Sequence, residues 1–462
     1  KSSVDLSLKV PEICATSNTN KGNKCLLYQG YEYTKYRENQ GGVVTWRCRI
    51  YFSTKCPALL KTQGENIVGV VPQHCHQSNP QKAQANILKA KIKKDIKAIG
   101  ATPRNILGNA LALVNSDVLE HLPKQSSLTR NLGRHKETFS LPNPATTDFI
   151  IPEKFLDLIL YDTGTDDPER ILAIGNNDIV SELHKDVIYG DGTFDKAPNM
   201  FYQLYTWHAK IGNSYPPCIY FLLQKKNMST YNRMFVILKK LVPNMTPQKI
   251  LLDFEKACMS AAQAAFPQAE IKGCYFHLSQ SLIRKINSVG LKALYESDID
   301  IKLKLKSLAA LSFVPILNVK TVFDELAATF PDEDAYNQIL AYFCSTYIEG
   351  VAGRSPLFPI RIWNHFEAAA ERSPKTTNCC EGFHNALNSI FHCSHPSIWN
   401  LLDGLRRDMA CQRLILANAQ TGRQEVIKKK YEAIALQVSI VVQDYHAHDD
   451  KLRYLRRMAN LQ

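Results

Sequence analysis

From residue 149 to residue 222 the apolar residues gather into short strand-like runs: FLDLILY, RILAIG, DVIYGDGTF, FYQLYTWHAKI and CIYFLL. Beyond them helical and strand-like patterns alternate, as TYNRMFVILKKLV, KILLDF, CMSAAQAAF, EIKGCYF and LSQSLIRKI. Strands in series followed by alternation with helices demand a sheet with helices laid on it. Residues 141–290 are therefore expected to form an α/β layer built on a mixed sheet. Only helical patterns follow, over 291–375, 376–400 and 401–462. Ahead of the layer, residues 22–80 alternate β-like runs (LLYQGYEYTKY, VVTWRCRIYF, NIVGVV) with turn signals at Asn39-Gln40-Gly41-Gly42 and Gln63-Gly64, which predicts a small antiparallel unit. Residues 81–140 turn helical, with three short helices predicted in AQANILKAKIKKDIKAI, RNILGNALALV and SDVLEHLP.

Charge divides the chain in the same places. The whole carries +13, yet residues 1–140 hold 21 basic and 9 acidic side chains, residues 141–400 hold 24 and 27, and residues 401–462 hold 11 and 7. A basic front section fits a polyanion partner or a solvated basic face. With 462 residues, 45% of them hydrophobic, and no apolar run near the ~20 residues a bilayer needs, a soluble, globular, multi-domain chain without membrane contact is expected. The 13 cysteines are odd in number and widely spread, which suits reduced thiols in cytosol or nucleus. Asn227 and Asn244 head formal glycosylation triplets, but the opening KSSVDLSLKV has no positive-then-apolar leader, so those triplets are expected to be chance.

Cys48 and Cys56, followed by His74 and His76, supply two thiolates and two imidazoles, enough for a closed tetrahedral zinc site. Buried free cysteines and two surface histidines are the alternative, and Cys75 could substitute as a ligand. A unit of this size with few large apolar groups needs a staple, and metal binding supplies folding energy directly. Trp46-Arg47-Cys48, Cys56-Pro57-Ala58-Leu59-Leu60-Lys61-Thr62, the hydrophobic run Ile67 to Val71 and His74-Cys75-His76 together resemble the FLYWCH-type zinc finger. Thr45 stands where that family usually shows an aromatic. The resemblance implies structural Zn²⁺ on Cys48, Cys56, His74 and His76, and DNA binding, with protein contact as the lesser role. Arg47, with Lys89, Lys93, Lys94, Lys97 and Arg104 of the helical region 81–140, is the expected DNA-contacting set.

Three acidic residues stand where strands or helices end. Asp191 closes an apolar strand in VIYGDGTFD, Asp253 closes another in ILLDFEKA, and Glu381 falls in the first turn of the helix in TTNCCEGFHNALNSIF. Carboxylates at the carboxyl ends of strands meet at one edge of an α/β sheet, where they suit hard divalent cations and phosphoryl displacement. Taken singly, each has a plainer role: a turn aspartate, a helix cap, a partner for a helix dipole.

DGTFD, LLDFEKA, GCYFHLSQSL and TTNCCEGFHNALN, in this order, resemble a Mutator-like element transposase, a member of the RNase H-like transposases. The resemblance spans roughly 140–400, and a FLYWCH-type finger ahead of such a core is an arrangement found in that family. It implies an RNase H-like core over 141–290, an all-helical insertion over 291–375 and a final catalytic helix over 376–400, with 401–462 as a C-terminal helical region. It also implies two Mg²⁺ (or Mn²⁺) ions on Asp191, Asp253 and Glu381, with Asp191 bridging them. Cys274 and His277 match a signature pair of the family and are associated with the site without an assigned metal; a buried thiol and a capping imidazole are the alternative. His384 and Asn385 share a helical face with Glu381, where His384 could contact the scissile phosphate or merely pack. Trp363 reads as core packing, with stacking on a splayed base as the sharper option. The stripe Ile427, Tyr431, Ile434, Val438 and Val441 reads as packing on its own domain or as a dimer surface, with Lys428, Lys429 and Lys430 alongside.

The expected function is a nuclear cut-and-paste DNA transposase. It would bind terminal inverted repeats as a homodimer or higher oligomer, cut double-stranded DNA and join the freed 3′-hydroxyl ends to target DNA. A DNA-binding transcription or chromatin factor with a silent transposase core is the alternative, and a protein-binding finger is a third reading.

Overall fold

Why the front section forms a sheet is visible in its core, where Leu26, Tyr33, Trp46 and Leu60 alternate inward from four neighbouring strands. In the computed structural model the described residues are 15–18, 24–64, 66–96, 102–112, 114–137, 141–351, 354–373, 378–423 and 429–461. Lys97, Ile427 and Lys428 lie outside the described residues, as do the side chains of Glu381, His384 and Tyr431. The chain divides into two compact units, residues 1–142 and 143–462.

The first unit holds a six-stranded antiparallel sheet in sequential order, β1 (Ala15–Asn18), β2 (Lys24–Tyr28), β3 (Tyr31–Glu38), β4 (Val43–Cys48), β5 (Leu59–Gln63) and β6 (Asn66–Ile67). Buried Trp46 donates its indole N–H to Thr62 Oγ1 at 2.9 Å, tying β4 to β5. Two runs are shorter than the sequence predicts. VVTWRCRIYF leaves the sheet after Cys48, and Tyr51–Thr54 forms a single helical turn, α1, closed by Lys55 at φ 55°. This turn brings the chain back so that Cys48 N–H bonds to Ala58 O at 3.0 Å and Cys56, eight residues from Cys48 in sequence, packs beside it. The run from Ile67 to Val71 is extended only at its start, because Gly69 at φ +88° breaks it.

Helices α2 (Pro80–Asp95), α3 (Pro103–Leu111), α4 (Ser116–Leu119) and α5 (Gln125–Glu137) follow. Asn79 and Thr102 cap α2 and α3, their side chains accepting from Lys82 N–H and Asn105 N–H, and proline opens each helix. The sequence predicted three helices here; α5 is an addition. Its segment QSSLTRNLGRHKE is mostly polar, and it is held by Leu128 and Leu132, one turn apart, against Ile92, Ile96 and Leu107.

The second unit is built on a seven-stranded sheet of order β13-β12-β9-β10-β11-β8-β7. The strands are β7 (Ile159–Asp162), β8 (Leu172–Gly175), β9 (Val187–Thr193), β10 (Gln203–Ala209), β11 (Pro217–Leu223), β12 (Lys249–Leu252) and β13 (Glu270–Gly273). Pairing is antiparallel from β7 through to β9, while β12 runs parallel to both β9 and β13. FLDLILY becomes a strand only at Ile159, after a 3₁₀ turn. EIKGCYF likewise ends as a strand at Gly273, since Cys274 makes the last bond to Leu252 O (2.9 Å) and then caps a helix.

The helices are α6 (Asn177–Val180), α7 (Met228–Leu241), α8 (Lys256–Ala265), α9 (Tyr275–Ser288), α10 (Lys292–Ser297), α11 (Ile299–Ala310), α12 (Val319–Ala327), α13 (Asp334–Phe343), α14 (Ile360–Trp363), α15 (Phe366–Ala370), α16 (Asn378–Ile390), α17 (Ile398–Gln420), α18 (Lys429–Gln443) and α19 (Lys451–Leu461). On one sheet face Trp207, Ile219 and Leu252 join a core with α7, α8 and α9 that continues into the helices α11 to α15. On the other face Leu204, Tyr220 and Leu222 pack under Phe383 and Leu387 of α16 and Leu401 and Leu405 of α17. No helix among the described residues is long and apolar enough to cross a membrane.

Two sharper options for the helical part fall away. Trp363 is fully buried and donates its indole N–H to Tyr347 O at 3.1 Å, so it packs inside the helical layer and presents no face to a base. Val438 and Val441 are buried in the same core, α18 lies on α15, and α19 lies on α11 and α12. The described part of the C-terminal stripe thus packs within its own chain, because the helical layer otherwise leaves apolar side chains of α11 and α12 open to water.

Candidate metal centres and nucleic-acid surface

The corner between β4, α1 and β5 gathers Cys48, Cys56, His74 and His76, whose ligand atoms all lie within 4.8 Å of one another. Cys48 Sγ is 3.3 Å from His76 Nε2, Cys56 Sγ is 3.4 Å from His74 Nδ1, and the two imidazole nitrogens are 3.2 Å apart. With Zn–S about 2.3 Å and Zn–N about 2.0–2.1 Å, a tetrahedron has N–N and S–N edges of about 3.3–3.6 Å, so the set fits zinc. Each imidazole has its other nitrogen engaged. His74 Nε2 lies 2.7 Å from Tyr33 Oη, and His76 Nδ1 lies 3.0 Å from Gln77 O, which orients both rings for ligation. Tyr31 stacks flat on His74 at 3.6 Å between centroids. Burial pushes the Cys48 thiol up to about 11. Burial also opposes ionisation of Cys56, but bonds from the backbone at Ala58 and Cys75 bring it down to about 7. Burial, with His76 beside it, lowers His74 to about 4, keeping its imidazole neutral as a ligand must be. Cys75 is exposed and stands outside the converging set, so it is no substitute ligand.

In the second unit Asp191, Asp253 and His277 bring their ligand atoms within 4.8 Å. Asp191 sits inside β9 rather than at its end, paired with Thr206 of β10, whose hydroxyl donates to Asp191 O at 3.3 Å. The glycines beside it serve packing and not a turn. A Cβ on Gly190 would lie 2.8 Å from Leu252 Cδ2 and 2.9 Å from Tyr205 Oη, and one on Gly192 would lie 2.7 Å from Gln203 Oε1. Both glycines face the aromatic core, so Asp191 faces the opposite side of the sheet. Asp253 follows the last residue of β12, and His277 occupies the first turn of α9, which starts where β13 stops.

Burial raises the Asp191 carboxyl well above its ordinary range, and the Asp253 charge adds to this. Burial disfavours the charged form of His277, but the Asp253 carboxylate and the Cys274 thiol push it up to about 11. His277 Nδ1 and Asp253 Oδ1 form an ion pair at 2.7 Å. Two carboxylates that converge beside one imidazole, with their ligand atoms within 4.8 Å, supply oxygen donors of the kind a hard divalent cation takes. Cys274 is buried at the head of α9 and is absent from the converging set.

Glu381 lies on α16, which runs against β9 on the side Asp191 faces. Two residues along, Phe383 meets His208 of β10 edge-on, with centroids 5.6 Å apart. His208 is itself fully buried, 2.9 Å from the Thr206 hydroxyl. Sequence reasoning passed over His208, Thr206, Tyr31 and Tyr33, since none belongs to a spaced motif.

Residues 16–76 match the FLYWCH zinc finger domain, and residues 187–281 match the MULE transposase domain. The chain thus carries a segment similar to the FLYWCH zinc finger ahead of a segment similar to the MULE transposase domain. No curated protein matches it. The FLYWCH match ends on His76 and so takes in all four zinc-type donors; the MULE match starts with β9, ends within α9, and takes in Asp191, Asp253, Cys274 and His277 but not Glu381.

Among the basic residues behind the FLYWCH finger, Lys94 and Arg104 are exposed, as is Lys91. Lys93 is half-buried. Lys89 is half-buried beside Glu32 and Arg49 of the finger, and burial lowers its ammonium below the usual lysine range, so it faces its own unit more than solvent. Arg47 stands over the rings of Tyr36, Tyr51 and Phe52.

Proposed function

We propose that the protein is a nuclear cut-and-paste DNA transposase with an RNase H-like core. It binds terminal inverted repeats through its basic front unit, hydrolyses phosphodiester bonds at transposon ends, and transfers the freed 3′-hydroxyls to target DNA. The observation that carries the reading is the convergence of Asp191 and Asp253 with His277 inside a segment that matches the MULE transposase domain. Three antiparallel strands, β9 to β11, with β12 and β13 running parallel on the far side of β9, support the RNase H-like assignment.

In this reading Asp191 and Asp253 hold the catalytic cations and Glu381 completes the set from α16. Mg²⁺ or Mn²⁺, two per site, when bound would supply the positive charge that polarises the scissile phosphate and lowers the pKa of attacking water. Asp191 is fixed by its strand and by the packing of Gly190 and Gly192, so its carboxylate needs little reorganisation to receive a cation. His277 supplies a positive charge against Asp253 and holds that carboxylate toward Asp191. Both cleavage and joining are in-line displacements at phosphorus, first by water and then by the 3′-hydroxyl, so one carboxylate set serves both. Synapsis of two ends calls for a homodimer or higher oligomer on DNA.

The test is cleavage of a terminal-repeat duplex with Mg²⁺ by wild type and by Asp191→Ala, Asp253→Ala and Glu381→Ala. Each substitution is expected to lower the rate about a hundred- to a thousandfold, the size of effect lost with a preorganised charge-stabilising group. Undiminished cleavage by the variants would refute the assignment. Full DNA binding with no cleavage by wild type would favour a DNA-binding factor with a silent core.

A further inference from the structure

One corner of the finger is built in a way its own stability does not require. Arg47, on β4, has its guanidinium carbon 4.7 Å from the ring centre of Tyr36, 4.5 Å from Tyr51 and 4.9 Å from Phe52. The rings of Tyr51 and Phe52 meet edge-on at 5.4 Å, and Lys55 Nζ stands 6.0 Å from Tyr51. Phe52 is 73% exposed and Tyr36 53% exposed, and α1, which supplies two of the three rings, buries none of its residues. Tyr36 sits at a register shift between Lys35 and Arg37 in the β3–β4 ladder, and such a bulge re-aims a side chain. Among the described residues no carboxylate pairs with Arg47 or Lys55. The cluster is thus an exposed aromatic platform with a cation at its centre, in a section that carries 21 basic and 9 acidic side chains.

We propose that Tyr36, Arg47, Tyr51 and Phe52 form a stacking platform for unpaired DNA bases. The inference rests on the reading of the front unit as DNA-binding and goes beyond it by naming the form of DNA and the contact. Aromatic faces attract bases whose own faces are free, and stacking of this kind is indifferent to sequence. A fully paired duplex hides its base faces and offers mainly phosphates, for which lysines suffice. Arg47 serves both partners of the contact: its plane is held among the rings, and its edge N–H groups remain suited to the phosphate of the stacked nucleotide. The basic surroundings, with no carboxylate paired to Arg47 or Lys55 among the described residues, favour a polyanion, and the exposed aromatic faces favour nucleic acid within that class. DNA ends that are being cut and joined expose unpaired bases, which gives the platform a substrate within the proposed reaction.

The test uses the full chain with zinc retained and reads fluorescence anisotropy with a labelled 20-nucleotide oligo-dT strand and with a labelled duplex of the same length, across a salt series. Phe52→Ala and Tyr36→Ala are each expected to weaken single-strand binding about tenfold. The slope of log K against log salt should stay unchanged, because no phosphate contact is removed. Duplex binding should change less than about twofold, and Phe52→Trp should restore single-strand affinity. Zinc content and the thermal melt of each variant verify that the finger is intact, as the exposure of both side chains leads one to expect. Single-strand affinity unchanged in Phe52→Ala and Tyr36→Ala, with duplex binding intact, overturns the platform and leaves the DNA-binding reading standing. Failure of the wild type to bind either DNA overturns both.

Discussion

The finger centre and the carboxylate centre are assembled from similar parts list sizes but opposite designs. At the finger, two sulfurs and two nitrogens close on one point, the cysteines are buried, and each imidazole is held by a further partner, Tyr33 or Gln77. At the sheet, two carboxylates and an imidazole meet with only Asp191 buried, while Asp253 and His277 are partly exposed and pair with each other at 2.7 Å. A closed donor set spends its binding energy on folding; an open one leaves coordination positions for water and phosphate. The two centres should therefore answer differently to the same insults.

Removing the metal from the finger should give the largest effect. Structural zinc contributes on the order of 10–16 kcal/mol of apparent binding energy that is also folding energy. A zinc chelator, or Cys56→Ser, is expected to unfold residues 24–76 and leave the second unit's melting transition in place. Limited proteolysis would show it, as rapid cleavage of the front section beside a stable fragment of the rest. Survival of a protease-resistant finger without zinc would erase the contrast. Next comes Gly190→Ala, whose Cβ would meet Leu252, Tyr205 and Trp207 at 2.8, 2.9 and 3.0 Å. Overpacking of this kind costs about 1–3 kcal/mol, and denaturant melts should show the loss in the second unit alone.

That glycine also shows where sequence reasoning reached and where it stopped. GDG was legible as the close of an apolar strand, with a turn as the plainer alternative, while β9 runs on through it to Thr193. The reason for its glycines lies in cross-strand register, where Tyr205 and Trp207 pair with Gly192 and Gly190, and a sequence does not print its register. The zinc donors were legible because residue type and spacing nearly define such a site, whereas Tyr31 and Tyr33 reach His74 through stacking and hydrogen bonding that no spacing announces. Asp191 and Asp253 were legible as acids near strand ends. That His277 and not only a carboxylate joins them follows from β13 ending at Gly273, so that the first turn of α9 lies beside the end of β12. Helix α5 went unseen because two leucines in a polar run carry it.

A smaller effect separates the two centres at their outer partners. Tyr33→Phe removes the group 2.7 Å from His74 Nε2 while keeping the ring that packs in the finger core. Loss of such an outer partner lowers metal affinity about 10–100-fold, so competition with a chromophoric chelator should show weaker zinc retention with the fold intact at saturating zinc. Unchanged affinity would mean that the ligands alone fix the rings.

The smallest effect has the most informative sign. Asp191 has its folded-state carboxyl raised by burial and by Asp253, so the folded protein holds that proton at pH values where the unfolded chain has released it. Between the unfolded carboxylate value, about 3.9, and the raised folded value, the native state binds more protons, and the stability of the second unit without added Mg²⁺ must fall as pH rises. His277, pushed up to about 11, is already cationic throughout this range and offsets only one of the two carboxylates. Asp191→Asn removes the surplus charge and is expected to raise the melting temperature at neutral pH by a few degrees, given roughly 2 °C per kcal/mol for a unit of this size. The gain should shrink toward pH 4. Mg²⁺, which replaces the missing proton with a cation, should stabilise the wild type and not the Asn variant. The finger, whose donors are already matched to zinc, should show no such response, and tryptophan fluorescence reports mainly the second unit, because Trp207, Trp363 and Trp399 lie in it and Trp46 in the first. A wild type that gains stability with rising pH, or a variant still stabilised by Mg²⁺, would mean that the surplus charge at the sheet is balanced from elsewhere and that the centre is as closed as the finger.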